Sequence, residues 1–372
     1  MLTKSEALDS KTKAAVLRLL ETDESATVDT VCKYARPRVV STLCEQYHLQ
    51  KAERECLTEA VATGAFSGRQ AEIFRITTAY LDAYKRLLPW VDLEKTNYVA
   101  KQAEGLKRVV HEQADIGVVL MDMICEGNLC YFADAVMEFI DRKQMWTMIK
   151  EILFEEDYFI QFDNDSPVIL DCGVNIGLAI YYAKHRYPDA RITGFEPWNV
   201  AYECASRNVQ RNGWQNVTLH HAALAAAAGE SELTIIDENN LANTLTNRMD
   251  SVIETQSLHT QTEKVQLLPL SSFLSIRVDF LKMDIEGMEG QVLGECGERL
   301  RNVRWIFVEH HYAPDLTNND LVPIIELLHT CGFLTEISHS QSFAKAAARR
   351  PFSHVGKNVS LLIWGKNSAE HT

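Results

Sequence analysis

From about residue 157 onward, short apolar runs alternate with segments of helical periodicity, and this alternation restricts the possible folds more than any other feature of the sequence. The apolar runs cover 168–171, 190–196, 216–221, 232–237, 265–270, 278–284, 303–311 and 359–364. The helical patterns lie at 176–186, 199–212, 287–300 and 320–331. Apolar strands that alternate with helices form a parallel sheet covered on both faces. We therefore predict an α/β fold with a doubly wound, mostly parallel sheet.

The first 155 residues differ from the rest of the chain, because their apolar residues follow helical periodicity. Ser67 and Gln70 have capping-box spacing, apolar residues then recur every three or four positions, and Pro89 ends the run. The stretch 116–132 is either a buried helix broken at Gly127-Asn128 or a hairpin turned there. We predict a separate, all-helical N-terminal domain at 1–155 and a second domain at 156–372. The first would cover the cleft as a lid, select the substrate, or pair two chains into a homodimer.

The composition excludes several classes of partner. The formal net charge of −14 is spread along the chain, and a spread acidic surface repels nucleic acid. No stretch approaches 18 uncharged apolar residues, so we expect no membrane span. The first twenty residues do not have the pattern of a signal peptide. The nine cysteines include no C-x-x-C pair, which argues against structural zinc and favours a cytoplasmic location.

The run VILDCGVNIG combines a strand, a glycine-rich turn and the start of a helix. Such turns lie at the carboxyl end of a strand, where open α/β sheets bind ligands. The dehydrogenase fingerprint needs glycines where this chain has Asn175 and Leu178, so a nicotinamide dehydrogenase is disfavoured. Asp171 at the strand tip would repel a pyrophosphate but attract a sulfonium or an amino group. The alternative is an ordinary strand–glycine–helix turn.

A second acid stands where a ribose would be bound. Glu196 ends the next predicted strand, 19 residues after Gly177, which suits an acid that accepts ribose hydroxyls. One acid for an amino-acid-type cation and another for a ribose describe S-adenosylmethionine. This combination is more specific than either signal alone.

More acids follow later strands. Asp284, Glu286 and Glu289 lie where the run 278–284 passes into a helix, and they would repel one another unless a positive group lies nearby. In the run 303–311, strand alternation places Glu309 and His311 on one face and His310 on the other. A solvated first helical turn is the alternative explanation, and for Glu289 it is as plausible as a functional one.

Together, these motifs resemble the FkbM-type S-adenosylmethionine-dependent methyltransferases. The resemblance rests on VILDCGVNIG, ITGFEP, VDFLKMDIEGMEGQVL and IFVEHH, and it covers about residues 155–340. The first motif of the family reads D-x-G-A-N-x-G, and Val174 replaces its alanine here. The K-[IM]-D-[IV]-E-G-x-E run, its most specific stretch, is intact from Lys282 to Glu289. The resemblance implies a Rossmann-like, class I methyltransferase domain that methylates a hydroxyl of a sugar or another small molecule.

The resemblance also assigns roles to individual positions. The methionine part of the cofactor would contact Asp171, Gly173, Asn175 and Gly177. Glu196 would accept the ribose hydroxyls beside Pro197 and Trp198, and the adenine would border His221, Ala222 and Ala223.

For the transfer step we hypothesise that His311 is the base and that Glu309 orients it, with Asp284 and Glu286 near the sulfonium and the acceptor. Mg²⁺ held by Asp284, Glu309 and a histidine is the less favoured alternative, and we assign no metal ligands. The acceptor would be a small molecule or glycan, such as a sugar or a glycosylated or polyketide-type metabolite. A protein that binds the cofactor without transfer chemistry, its helical half mediating partner binding, is a further alternative.

Overall fold

The computed structural model describes residues 69–91, 104–105, 108–109, 112–236, 260–312, 319–339 and 359–368. The chain divides into two compact units, residues 1–134 and 135–372. In the described part of the chain, every helix is too short or too polar to span a bilayer.

In the first unit, helix α1 (Arg69–Leu87) runs into a 3₁₀ turn at Leu88–Trp90, where Pro89 ends the predicted run. Helix α2 (Ile116–Ile124) begins where the Asp115 carboxylate accepts the Val118 N–H. The chain then forms a hairpin of β1 (Cys125–Glu126) and β2 (Leu129–Tyr131), turned at Gly127 with a φ of +60°. Both alternatives for 116–132 are therefore realised, one after the other, and this part of the unit is not purely helical.

The second unit begins at Ala135. It therefore includes residues 135–155, which the helical periodicity of the sequence had assigned to the N-terminal domain. This segment forms strand β3 (Val136–Glu138) and helix α3 (Arg142–Met148), which continues as a π-helix over Ile149–Phe154. The Asp141 carboxylate caps α3 by accepting the Gln144 N–H at 2.8 Å. The lid, substrate-selection and homodimer roles of the N-terminal domain stay predictions.

The central sheet confirms the predicted α/β fold. Along the chain, strands and helices alternate as β4 (Val168–Cys172), α4 (Leu178–Arg186), β5 (Arg191–Phe195), α5 (Asn199–Arg211), β6 (Val217–His220), β7 (Ala223–Leu224), β8 (Gly229–Ile236), β9 (Thr260–Leu268), β10 (Val278–Met283), α6 (Glu289–Cys296), β11 (Val303–Tyr312), α7 (Leu321–Thr330), β12 (Phe333–His339) and β13 (Val359–Asn367). Seven of the described strands form one sheet in the order β12-β13-β11-β10-β4-β5-β6. The five strands from β11 to β6 are parallel, and β13 runs antiparallel to both of its neighbours.

Two of the predicted runs leave this sheet. Strands β8 and β9 pair antiparallel, and with β7 they form a separate three-stranded sheet. Strand β12 has no counterpart among the predicted runs, because the polar residues Thr335 and Glu336 interrupt its apolar pattern.

Both faces of the central sheet are buried. Leu170 of β4 and Leu281 of β10 pack into one core layer, and their neighbours Ile169 and Phe280 pack into the layer on the opposite face. Adjacent residues of one strand point to opposite faces, so a sheet of apolar strands needs a cover on each side. All six residues of β10 are buried, as expected for a strand in the middle of the sheet. The residues that follow its carboxyl end belong to the candidate site.

Candidate active site

A cleft of about 270 Å³ lies at the carboxyl ends of the parallel strands. This is where ligands bind in open α/β sheets. Eleven of the residues predicted for the site line it: Gly173, Asn175, Glu196, Pro197, Trp198, Ala222, Ala223, Asp284, Glu286, Glu309 and His311. Asp171, Gly177 and His221 are not among the residues that line it. Motifs that are up to 138 residues apart in sequence therefore meet at one place.

The turn after β4 explains the spacing of its glycines. Gly173 has a φ of +90°, and a Cβ atom there would lie 1.9 Å from the carbonyl oxygen of Asp284. Asn175 is also left-handed, with a φ of +54°, and its side-chain oxygen accepts the Ile176 N–H at 2.7 Å. Asparagine is one of the few residues that tolerate this conformation. Gly177, with a φ of +88°, precedes α4 and shapes the turn without lining the cleft.

Glu196 is held by the backbone of two neighbouring turns. Its carboxylate oxygens accept the Asn175 N–H at 2.8 Å and the Trp198 N–H at 3.0 Å. The residue is 9% exposed, and burial raises the pKa of its carboxyl group to about 7 although both hydrogen bonds lower it. Each carboxylate oxygen has a second acceptor position. Glu196 can therefore accept hydroxyl groups of a ligand while it stays bound to the backbone.

Asp171 pairs with a lysine that sequence reasoning did not single out. Its carboxylate lies 3.3 Å from Nζ of Lys282, and both side chains are buried. The same ammonium group donates to the Gly173 carbonyl at 2.5 Å and lies 3.9 Å from the Asp284 carboxylate. Asp171 therefore forms an ion pair outside the residues that line the cleft, and its predicted contact with the methionine part of a cofactor stays a prediction. Lys282 is the positive group that the crowded acids require.

His311 is oriented by Glu289, which corrects the predicted role of Glu309. Nδ1 of His311 lies 3.0 Å from Glu289 Oε1, whereas Nε2 lies 3.6 Å from Glu309 Oε1, too far for a hydrogen bond. Glu289 is 0% exposed, so the alternative of a solvated first turn is wrong for this residue. Glu289 begins α6 two residues after Gly287, which has a φ of +104°.

Glu289 receives several donors, and they fix its charge. Besides His311, the Gly287 N–H donates to it at 3.0 Å and the Asn319 amide at 2.9 Å. Burial alone would raise the pKa of Glu289, but His311 and these hydrogen bonds outweigh it and lower the pKa to about 2. An ionised carboxylate has only acceptor positions. Nδ1 of His311 must therefore carry the hydrogen of their bond.

The other nitrogen of His311 faces three carboxylates. Nε2 lies 3.6 Å from both Glu286 Oε2 and Glu309 Oε1 and 3.8 Å from Asp284 Oδ1. His310 points away, as strand alternation predicted, and its Nε2 contacts the Asn319 carbonyl at 2.7 Å. Ligand atoms of Asp284, Glu309 and His311 lie within 4.8 Å of one another, so one cation could contact all three. The less favoured Mg²⁺ alternative stays a prediction.

Part of the cleft lining comes from the segment that precedes β4. Thr147 and Met148 of α3, Glu151 and Ile152 of the π-helix, and Tyr158 line the cleft here. Sequence reasoning did not find these residues, because helical periodicity does not reveal which face of a helix meets a site. A π-helix, which is common at functional sites, gives no sequence signal of its own here.

His221 lies outside the cleft, although the family pattern placed it beside an adenine. Its side chain is exposed, stacks on Tyr202 at 4.8 Å and approaches the Pro197 carbonyl through Nε2 at 3.0 Å. Ala222 and Ala223, which follow it, do line the cleft. Two residues of the predicted stretch therefore line the cleft, and their contact with an adenine stays a prediction.

Comparison with known proteins identifies a methyltransferase family and two methyltransferases that resemble this chain in sequence. Residues 171–335 match the sequence profile of the methyltransferase FkbM domain. The chain is 30% identical over 215 residues to methyltransferase sdnD of Sordaria araneosa, covering 50% of this chain and 81% of that protein. It is 28% identical over 233 residues to methyltransferase 1 of Beauveria bassiana (strain ARSEF 2860), covering 59% and 88%. A solved structure of methyltransferase FkbM from Methylobacillus flagellatus KT has 13% identity and a TM-score of 0.38, covering 81% of this chain and 63% of that one.

Proposed function

The chain belongs to the FkbM family of methyltransferases, and from this premise we propose that it transfers a methyl group from S-adenosylmethionine to a hydroxyl group of a small molecule. One observation carries the proposal. Glu196 and His311 line the same cleft. The backbone holds the Glu196 carboxylate, which can bind a ribose, and the buried Glu289 holds His311, which can act as a base.

Glu196 and its neighbours form the cofactor end of the cleft. An acid at the tip of the second strand that accepts ribose hydroxyls is the usual arrangement in nucleotide-binding α/β sheets. Trp198 and Ala222 border the cleft beside Glu196 and offer apolar surface to an adenine. Gly173 and Asn175, on the neighbouring turn, would lie along the methionine part.

His311 and the surrounding acids form the transfer end. S-adenosylmethionine supplies a methyl group on a positively charged sulfur, a good leaving group. With Nδ1–H held by Glu289, the lone pair on Nε2 of His311 is directed into the cleft. His311 would take the acceptor proton on Nε2 as the acceptor oxygen bonds to the methyl carbon and the bond from that carbon to sulfur breaks, so that neutral S-adenosylhomocysteine leaves. Asp284, Glu286 and Glu309 then stabilise the imidazolium that forms.

The part of the lining that precedes β4 suits an acceptor of mixed polarity. Met148 and Ile152 present apolar surface, whereas Thr147 and Glu151 present groups that bind hydroxyls. This mixture supports a sugar or a glycosylated or polyketide-type metabolite as acceptor. The proposed reaction uses His311 as the base and needs no Mg²⁺, so activity should survive prolonged chelation.

Calorimetry followed by a transfer assay tests the proposal. The protein should bind S-adenosylhomocysteine and ignore NADH, and tight nicotinamide binding would refute it. Sugars, sugar-bearing metabolites and polyketides are then incubated with the protein and cofactor labelled on its methyl group, each paired with a derivative whose hydroxyl is already methylated. Transfer to the free hydroxyl alone supports O-methylation. Transfer to both members of a pair would show that another atom accepts the methyl group.

A further inference from the structure

Three carboxylates surround the transfer end of the cleft. Asp284, Glu286 and Glu309 each place an oxygen 3.6–3.8 Å from Nε2 of His311. Burial and the adjacent Asp284 raise the pKa of Glu309, which shows that the acids are crowded. Carboxylate oxygens of Asp284 and Glu309 lie within 4.8 Å of each other, and like charges this close disfavour one another's ionisation. A positive charge among the three carboxylates would therefore be stabilised.

The nearby lysine does not cancel this negative charge. Lys282 is the one lysine or arginine among the residues that line the described cleft, and its ammonium group is buried between Asp171 and Asp284. It also donates to the Gly173 carbonyl, so it is held on the side of the sheet. The ion pairs of Lys282 involve Asp171 and Asp284, so this lysine does not neutralise Glu286 and Glu309 as well.

We propose that Asp284, Glu286 and Glu309 make the cleft select the charged methyl donor over its uncharged product. This inference rests on the proposed function and extends it to the order of affinities. S-adenosylmethionine and S-adenosylhomocysteine share the adenine, ribose and amino-acid parts, and they differ by the methyl group and the positive charge on sulfur. Contacts with Glu196 cannot distinguish the two, whereas the carboxylates at the transfer end respond to the charge on sulfur.

The selection has a consequence for turnover. A charge pair in a partly buried cleft is stronger than the same pair in water, so losing the charge on sulfur weakens binding. We expect S-adenosylhomocysteine to bind at least about tenfold more weakly than a positively charged analogue. The product should consequently leave readily and inhibit the enzyme weakly.

Calorimetry with two stable ligands tests this selection without any acceptor. Sinefungin carries a protonated amine near the position of the sulfonium, and S-adenosylhomocysteine carries a neutral sulfur. Both are titrated into the full chain with a chelator present, so that no divalent cation supplies the positive charge. Sinefungin should bind at least tenfold more tightly, and equal or reversed affinities would overturn the selection. If neither ligand binds, the proposed function itself fails.

Substitutions then identify the residues responsible. Glu309→Gln should reduce the affinity ratio severalfold, mainly by weakening sinefungin, and Asp284→Asn provides a second variant if the first does not fold. Glu298→Gln is the matched control, because it removes the same charge from an exposed residue outside the cleft. An unchanged ratio in both folded cleft variants, or an equal drop in the control, would contradict the assignment.

Discussion

Glu196 and Glu289 are both buried carboxylates of the same cleft region, yet their pKa values move in opposite directions. Two backbone N–H groups hold Glu196, and burial raises its pKa to about 7. The His311 ring, a backbone N–H and the Asn319 amide hold Glu289, and they lower its pKa to about 2 against the effect of burial. Because both carboxylates are buried, the number and charge of the groups that donate to them account for the difference between their pKa values.

This difference suits the two ends of the cleft to different tasks. Glu289 stays ionised over the physiological range, so it can hold the His311 ring and balance the imidazolium that would form there. The pKa of Glu196 is about 7, so the binding of ribose hydroxyls that we propose for it would depend on pH. We therefore expect changes to His311 and Glu289 to act mainly on the rate, and changes to Glu196 mainly on the affinity for the cofactor.

Removing the base is the strongest way to separate the two ends. His311→Ala should lower kcat about 10²- to 10⁴-fold, the usual contribution of a positioned general base, and leave the affinity for S-adenosylhomocysteine nearly unchanged. Once an acceptor is known, steady-state kinetics and calorimetry on the same preparation measure both quantities. His329→Ala, on the surface of α7, is the control and should match the wild type. A variant at His311 with a normal rate and an intact fold would remove it from the mechanism.

Displacing the histidine should have a smaller effect. In Glu289→Gln the ring loses its charged partner, and a misplaced group typically costs on the order of 10²-fold in rate, so we expect kcat to fall about 10- to 100-fold. Affinity for S-adenosylhomocysteine should stay within about twofold, because Glu196 is untouched. Glu295→Gln is a control on the same helix. If both rate and affinity fell together, the two ends would not be separable.

Stability at acid pH gives Glu289 a second, independent signature. Its folded-state pKa of about 2 lies below the usual value of 4.5. The stabilisation is therefore present above pH 4.5 and is lost as the pH falls toward 2, where the folded protein must take up this proton. The Glu289→Gln variant should lose less stability than the wild type over this interval, as measured by denaturant unfolding at each pH.

The sequence predicted the cofactor end more completely than the transfer end. Strand–turn–helix patterns located Gly173, Asn175 and Glu196, because backbone conformation depends on local residue type. The partner of His311 could not be read in the same way. Glu309 is two residues away on the same strand, whereas Glu289 reaches the ring only through the fold of Gly287 and the packing of α6. Lys282 was likewise hidden in an apolar strand whose tertiary contacts give it a partner.

Titrating the cofactor end is the subtlest way to test the comparison. Because the pKa of Glu196 is about 7 in the folded protein, the charged acceptor form declines as the pH falls through that value. Affinity for S-adenosylhomocysteine should be constant above about pH 8 and fall by up to about tenfold for each pH unit below 7. Glu196→Gln should bind more weakly at high pH and show a flatter profile.

The exposed Glu203→Gln should keep the wild-type profile. Other acids line the cleft, so the difference between the Glu196 variant and the wild type is the decisive quantity. If the two profiles were parallel, the pH response would belong to the transfer end.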